Sequence, residues 1–353
     1  MKATYHKYIL NFKRPSGTSR GVMTQKETWF IVLEENGKFG IGECGILRGL
    51  SIDDREDYEE KLKWTCQNIH LGMEKLWEEL LEFPSIQFGM ETAFYSLKSK
   101  NNPFEIFESD FTKGTKNIPI NGLVWMGEKE FMKQQIEEKI NQGFKCIKLK
   151  IGAIEFDKEL ELLAFIRANF DENQIEIRVD ANGAFDESEA LCKLNHLSGY
   201  ELHSIEQPIK KNQTDSMSEL CKSTPFPIAL DEELIGVFSY EQKEALLQKI
   251  NPQYIILKPS LIGGIKGSKQ WIELAEKHKI GWWITSALES NIGLNAIAQF
   301  TFLQNNPMPQ GLGTGGLYTN NFDSPLFVYN GELGYDVLKK WNLQSILNQV
   351  VFS

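Results

Sequence analysis

The chain has 353 residues, 41% hydrophobic and 24% charged, a composition typical of a globular protein that buries its own core. Its 48 acidic and 38 basic residues give a formal net charge of −10, which disfavours nucleic-acid binding because the phosphate backbone is repelled. Five scattered cysteines without a CxxC pair, no signal-peptide pattern and no apolar run of about 20 residues predict a cytoplasmic protein without a membrane partner. The sequence carries no indication of the oligomeric state.

The first 115 residues mix strand-like and helical patterns, which predicts an α+β domain. The predicted elements are a strand over Thr28–Glu34, a hairpin turn at Asn36 and Gly37, a partner strand over Lys38–Cys44, and helical stretches from about Ile52 to Glu82 and from about Ser85 to Ser99. The run Asn101-Asn-Pro is a natural break between domains.

From residue 116 to residue 319, short β-rich runs alternate with amphipathic helical stretches, which predicts a parallel sheet with helical crossovers. Each β-rich run is apolar until its last position, where a polar residue stands: Lys150, Asp180, Glu206, Asp231, Lys258 and Ser286. These positions are 30, 26, 25, 27 and 28 residues apart, close to one β/α unit of a barrel. A doubly wound sheet would gather its functional groups at one switch point, so the pattern favours an α/β barrel.

Three consecutive strand ends carry carboxylates, namely Asp180, Glu206 and Asp231. Carboxylates brought this close repel one another unless a cation lies between them. Ligation by oxygen alone selects Mg²⁺, Mn²⁺ or Ca²⁺ over zinc. The alternative is that each carboxylate pairs with a lysine or caps the next helix, but three in succession favour a metal site.

Two lysines stand two residues apart on one predicted strand, so the side chains of Lys148 and Lys150 share a face while Leu149 points the other way. Neighbouring ammonium groups disfavour each other's charge, so we expect the pKa of one to be lowered towards that of a base. Lys258 approaches from the far side of the barrel. A base beside a metal is suited to removing the proton α to a carboxylate.

The chain as a whole resembles the muconate-lactonizing-enzyme subgroup of the enolase superfamily. Five motifs carry the resemblance: Lys148-Leu-Lys150, Asp180-Ala-Asn-Gly, Ile205-Glu206-Gln-Pro, Leu230-Asp231-Glu-Glu and Leu257-Lys258-Pro-Ser-Leu-Ile-Gly-Gly. The resemblance implies a modified (β/α)₇β TIM-like barrel over residues 116–319. It also implies an α+β capping domain over residues 1–115, completed by a C-terminal segment over residues 320–353.

Within that subgroup the chain is most similar to the o-succinylbenzoate synthases of menaquinone biosynthesis. The segments Phe88-Gly-Met-Glu-Thr-Ala, Thr285–Leu294 and Gln310-Gly-Leu-Gly-Thr favour this family. Dipeptide epimerases usually carry Asp-x-Asp on the eighth strand to bind the ammonium group of their substrate. Gly311-Leu-Gly313 stands there in this chain, which suits a dianionic small-molecule carboxylate without an ammonium group.

The resemblance implies a role for each site residue. Asp180, Glu206 and Asp231 would hold Mg²⁺, with Mn²⁺ as a possible substitute. Lys150 would be the base, Lys258 would stabilise charge from the opposite side, and Lys148 would hold the carboxylate. Substrate-binding positions would be Ser286, Ser290, Gly311, Gly313 and Asn182, together with Thr18 and Ser19 in a capping loop that closes over the succinyl group.

Three other interpretations remain open. An N-succinyl amino acid racemase or a dipeptide epimerase would use the same metal and both Lys150 and Lys258. An aldolase would use one of these lysines to form a Schiff base, but this does not explain the three carboxylates. A barrel that only binds an acidic ligand would not need a full set of catalytic residues.

Overall fold

The computed structural model describes residues 1–18, 21–100 and 102–352, which form an α/β protein. The N-terminal sheet is antiparallel, with neighbouring strands β1 (Lys2–Thr18), β2 (Gly21–Glu35) and β3 (Lys38–Gly45). Asn36 and Gly37 join β2 to β3 with φ angles of 52° and 75°, the left-handed conformation of a two-residue hairpin turn. The predicted hairpin is therefore confirmed.

Helices cover one face of the N-terminal sheet. They are α1 (Tyr58–Gln67), a 3₁₀ turn (Ile69–Leu71), α2 (Gly72–Glu79) and α3 (Pro84–Lys98). The prediction of one helical stretch from about Ile52 to Glu82 is wrong, because the chain turns at Gly72, whose φ of 78° lies outside the helical range. The second predicted helix matches α3 to within one residue at each end.

Helix α3 lies directly against β3 because glycines stand at the contact. A Cβ atom at Gly42 would overlap the carbonyl oxygen of Gly89 on α3, and one at Gly89 would overlap the thiol of Cys44. The two backbones approach this closely only because neither glycine carries a side chain.

Gly42→Ala should therefore lower the free energy of unfolding by about 3 kcal/mol or more, because the added methyl group forces β3 away from α3. Urea unfolding followed by circular dichroism measures the change. Gly199→Ala is a matched control, since a Cβ atom there meets no heavy atom within 4 Å. We expect the control to stay within about 0.5 kcal/mol of the parent protein, and equal stability of the two variants would contradict the close packing.

The barrel sheet contains seven parallel strands that neighbour one another in chain order. They are β5 (Gly122–Val124), β6 (Cys146–Lys150), β7 (Glu176–Asp180), β8 (Ser204–Glu206), β9 (Ile228–Leu230), β10 (Tyr254–Leu257) and β11 (Gly281–Ile284). The helices between and after them are α4 (Lys129–Asn141), α5 (Phe156–Asn169), α6 (Glu187–Leu197), α7 (Thr214–Ser223), α8 (Tyr240–Ile250), α9 (Gly264–Lys277) and α10 (Asn291–Leu303). Strands that follow chain order around a curled sheet confirm a barrel rather than a doubly wound sheet.

Residues 310 and 311 close the barrel as its eighth strand position. Gln310 forms a parallel bridge with Ile120 at the β5 edge, and Gly311 forms one with Thr285 at the β11 edge. The amide of Gly311 donates to the carbonyl oxygen of Ile284 at 2.8 Å. The carboxyl ends of all strands therefore face one common volume.

The C-terminal segment contacts both the barrel and the N-terminal sheet. The strands β12 (Leu326–Tyr329) and β13 (Glu332–Tyr335) form a small antiparallel sheet with β4 (Ile118–Pro119), and α11 (Leu343–Phe352) follows. On α11, Ile346 packs in the same apolar cluster as Leu10 and Phe30 of the N-terminal sheet. The division of the chain at residues 115 and 319 stays a prediction.

Among the helices of the described residues, none combines the length and the apolar composition needed to span a membrane.

Candidate active site

A cavity of about 220 Å³ lies where the carboxyl ends of the barrel strands face the N-terminal sheet. Its barrel side is lined by charged and polar side chains, including Lys148, Lys150, Asp180, Asn182 and Lys258. Its other side is lined mainly by apolar residues of the N-terminal segment, which are Val22, Met23, Leu47 and Leu50, with Arg48 among them. The cavity therefore pairs a charged floor with a more apolar cover.

Strand β6 points Lys148 and Lys150 into the barrel, while Leu149 lies in the apolar core between strands and helices. The Nζ of Lys150 is 3.1 Å from Asp180 Oδ2 and donates to Asn182 Oδ1 at 2.7 Å. The Nζ of Lys148 is 2.9 Å from Asp180 Oδ2. Two lysines of one strand thus contact one carboxylate of the next strand.

The carboxylates follow one another around the barrel, as the spacing predicted. Asp180 and Glu206 are partners in the β7–β8 register, and Asp231 directly follows β9. Lys148 also donates to Glu206 Oε2, and Lys258 forms an ion pair with Asp231 and lies 3.7 Å from Glu206 Oε1. The structure therefore brings all six predicted residues into one buried network.

The network stabilises the charged form of most of its members. Burial works against the charge of Lys148, but Asp180 and Glu206 outweigh it and raise the pKa of that lysine. In the same way, Lys148 and Lys150 hold the pKa of Asp180 well below its usual range despite burial. The expected lowering of the pKa of one of the two lysines is therefore not seen at Lys148, where the carboxylates outweigh burial.

Glu206 is the exception in this network. Burial and the charge of Asp180 raise the pKa of Glu206 to about 8, although Lys148 and Lys258 oppose that rise. Its Oε1 is buried and has no hydrogen-bond partner among the residues that the structure describes. A buried carboxylate oxygen without a donor is unfavourable unless another positive group approaches it.

The side chain of Asn182 contacts Lys150 directly. Its side-chain oxygen accepts from the Nζ of Lys150, and its Nδ2 donates to Glu232 Oε1 at 3.1 Å. An ammonium group only donates and a carboxylate only accepts, so the orientation of the amide is fixed by its two partners. Asn182 also adopts a φ of 45°, a left-handed conformation for which asparagine is well suited.

The predicted substrate contacts divide into three groups. Asn182, Ser286, Gly311 and Gly313 line the cavity, and Ser286 Oγ is 2.7 Å from Thr314 Oγ1. The structure does not bring Ser290 to the cavity, because its hydroxyl donates to Glu43 Oε2 at 2.5 Å. The third group cannot be placed: Ser19 and the side chain of Thr18 lie outside the described residues.

Further lining residues were missed from the sequence, namely Leu123, Trp125, Leu288 and Thr314. Leu123 and Trp125 stand two apart on and just after β5, so the alternation that identified the two lysines on β6 also applies to them. No such alternation pointed to Leu288, because it lies in a loop whose conformation depends on contacts with distant segments.

Two family models together match most of the chain. The model described as the enolase C-terminal domain-like family matches residues 131–334, and that of the MenC N-terminal domain matches residues 1–97. An o-succinylbenzoate synthase from Desulfotalea psychrophila is 49% identical, over 95% of this chain and 99% of that relative. The chain belongs to the o-succinylbenzoate synthase family of the enolase superfamily. The resemblance seen in its motifs is thereby confirmed.

Solved structures of the superfamily share this fold. The crystal structure of MenC from Desulfotalea psychrophila has a TM-score of 0.84 at 46% identity, covering 95% of this chain and 99% of that chain. Muconate lactonizing enzyme from Pseudomonas fluorescens has a TM-score of 0.83 at 21% identity, covering 99% and 98%. A hydrophobic dipeptide epimerase from a Flavobacteria bacterium is a more distant relative, 25% identical over 85% of this chain and 86% of the epimerase.

Proposed function

We propose that this chain converts 2-succinyl-6-hydroxy-2,4-cyclohexadiene-1-carboxylate to 2-succinylbenzoate, using Lys150 as its base and Mg²⁺ as its cofactor. The chain is a carbon–oxygen lyase of the o-succinylbenzoate synthase type, the activity named for its 49% identical relative. The observation that carries the residue assignment is the network of three lysines and three carboxylates at the floor of the cavity.

The donor set of this network fits a hard divalent cation. Asp180, Glu206 and Asp231 offer carboxylate oxygens alone, and Glu206 Oε1 is buried without a hydrogen-bond donor in the described part of the chain. No three His, Cys, Asp or Glu side chains of the described residues are arranged as a ready metal site, and each of these three carboxylates contacts a lysine. In our proposal the cation takes over part of those contacts. Mn²⁺, which accepts the same oxygen ligands, should substitute for Mg²⁺.

The charges of the network also favour an anionic substrate without an ammonium group. Three ammonium groups and three carboxylates sum to zero when all are ionised. A bound divalent cation adds two positive charges and the neutral amine that Lys150 needs as a base removes one, so the site keeps one positive charge. A substrate carboxylate compensates that excess, whereas an amino acid or dipeptide brings an additional ammonium group. Gly311 and Gly313 place no carboxylate in the cavity wall to bind such a group.

In the proposed reaction, Lys150 moves one proton twice. Its neutral amine takes the proton from C1, and the electron pair of that bond moves into the substrate carboxylate. The pair then forms the C1–C6 double bond as the C6–O bond breaks, and the ammonium of Lys150 returns the proton to the leaving oxygen. Water is released, and both groups leave from the face on which Lys150 lies.

The remaining residues would bind and orient the substrate. When bound, Mg²⁺ supplies positive charge that lowers the cost of the negative charge developing on the carboxylate. Lys258 lines the cavity on the opposite side of the carboxylates and would stabilise charge on the ring. Lys148 would hold the substrate carboxylate, and Asn182 keeps the Nζ of Lys150 in position through their 2.7 Å hydrogen bond.

The decisive experiment supplies the cyclohexadiene carboxylate with Mg²⁺ and follows the aromatic product by its absorbance. We expect turnover that stops with EDTA and returns with added Mg²⁺ or Mn²⁺. Failure to form the product, together with rapid α-deuterium exchange into N-succinyl amino acids, would instead support the racemase. Turnover that persists at full rate in EDTA would contradict the metal assignment.

A further inference from the structure

The loop between β11 and α10 forms part of the cavity wall in a strained conformation. Leu288 lines the cavity and has a φ of 61°, the left-handed region that branched residues rarely adopt. Such a conformation persists only where surrounding contacts hold it in place. The contacts of this loop are therefore informative about what shapes the wall.

Glu289 and Tyr318 hold the loop on both sides of Leu288. Glu289 is fully buried, and its carboxylate accepts from the amide of Ala287 at 2.7 Å and from Ser260 Oγ at 2.5 Å. The hydroxyl of Tyr318 donates to the carbonyl oxygen of Leu288 at 2.7 Å. Because Ser260 follows Lys258 by two residues, Glu289 ties the wall to the loop that carries a site lysine.

Lys26 on β2 supplies a buried positive charge beside this loop. Only 4% of the residue is exposed, and its Nζ has no hydrogen-bond partner among the described residues. Burial raises the pKa of Glu289, and the charge of Lys26 works against that rise. A Cβ atom at Gly45 would lie 2.6 Å from the Nζ of Lys26, so a glycine leaves room for the ammonium group. A buried ammonium group is tolerated only when an opposite charge compensates it.

A second carboxylate fixes the same region to the N-terminal sheet. Glu43 on β3 accepts from the amides of Ser290 and Gly293 at 2.9 Å each, and from the hydroxyl of Thr28 at 2.9 Å. Ser290, the N-cap of α10, is thus docked on the sheet that covers the cavity. Within the segment Thr285–Leu294, Ser290 therefore joins the barrel to the N-terminal sheet, and its hydroxyl does not reach the cavity.

We propose that Glu289 and Tyr318 are positioning residues that hold Leu288 in the cavity wall and so determine how tightly the substrate is bound. The identity of that substrate rests on the proposed function. Neither residue lines the cavity, so the proton transfers of Lys150 do not require them. Their loss should weaken binding of the part of the substrate that does not react.

The test compares Glu289→Gln and Tyr318→Phe with the parent enzyme under Mg²⁺. We expect each variant to raise KM by about tenfold while kcat stays within about threefold. This pattern arises when the lost interaction stabilises the bound substrate and the transition state equally. Glu189→Gln is the matched control, because this exposed glutamate on α6 pairs with Lys193 at the surface and should leave both constants unchanged. Unchanged KM in both variants, or a large fall in kcat at unchanged KM, overturns the proposal.

Tyr318→Phe keeps the test decisive if Glu289→Gln folds poorly, because it removes only one hydrogen bond, the one to the carbonyl oxygen of Leu288. The double variant tests whether the two residues act through the same loop. Its KM should rise by less than the product of the two single effects, because either substitution already releases Leu288. Fully multiplicative effects would contradict the shared loop, whereas a parent enzyme that does not turn over the cyclohexadiene carboxylate would contradict the proposed function instead.

Discussion

Lys150→Ala should lower kcat for the conversion to 2-succinylbenzoate by about 10³- to 10⁴-fold, because one amine performs both proton transfers. The Nζ of Lys150 lines the cavity and is held by Asp180 and Asn182. Alanine leaves those two partners in place and removes only the base. Steady-state measurement of the aromatic product, with Mg²⁺ saturating, gives the change in kcat.

Lys150→Arg is the control that separates charge from basicity. Guanidinium keeps the positive charge beside Asp180 but remains protonated in proteins, so it cannot accept the proton. We expect this variant to be nearly as inactive as Lys150→Ala and to retain the circular dichroism spectrum of the parent. A Lys150→Ala variant that keeps more than about a tenth of the parental kcat would contradict the assignment of the base.

The barrel and its charged floor could be predicted from the sequence because both depend on local periodicity. A strand that is apolar until its last residue places that residue at the carboxyl edge of the sheet, and regular spacing repeats this from unit to unit. Lys150, Asp180 and Glu206 therefore came together as expected, through the β6–β7–β8 register. The family motifs added the identity of the reaction, which spacing alone does not contain.

Contacts between distant segments could not be predicted in this way. Ser290 follows the seventh strand and was expected to meet the substrate, yet Glu43, 247 residues away, takes its hydroxyl. Lys26 gave no signal, since a lysine in a strand is usually exposed, and only the fold shows that it is buried. The break between α1 and α2 was missed because a single glycine, Gly72, interrupts an otherwise helical pattern.

The electrostatic interactions of the site could be predicted from the sequence only in part. The sequence indicated that Lys148 and Lys150 share a face, but not how strongly Asp180 and Glu206 would act on them. Once the ion pairs are in place, Asp180 and Glu206 raise the pKa of Lys148 despite its burial. An argument from the two neighbouring ammonium groups leaves these carboxylates out, although six charges meet in one buried volume.

Glu206→Gln should abolish Mg²⁺-dependent turnover, with kcat/KM falling by about 10³-fold, because the central carboxylate of the proposed metal site becomes an amide. Glu206 also stands between Lys148 and Lys258, but burial and Asp180 raise its pKa to about 8, so without metal an amide replaces a carboxyl group that is mostly protonated at neutral pH. We therefore expect the free energy of unfolding without metal not to fall by more than about 1 kcal/mol. Isothermal titration calorimetry should show Mg²⁺ affinity lowered by about 100-fold or more.

The control is Glu189→Gln, which removes the same charge from an exposed ion pair with Lys193 on α6. We expect it to keep the parental activity, Mg²⁺ affinity and stability within about 0.5 kcal/mol, since exposed pairs contribute little. Retained Mg²⁺ affinity in Glu206→Gln would contradict its role as a metal ligand. Lost affinity together with a large loss of stability would mean instead that an ionised Glu206 compensates Lys148 and Lys258 in the absence of metal, so the two measurements separate the metal-binding role of Glu206 from a structural one.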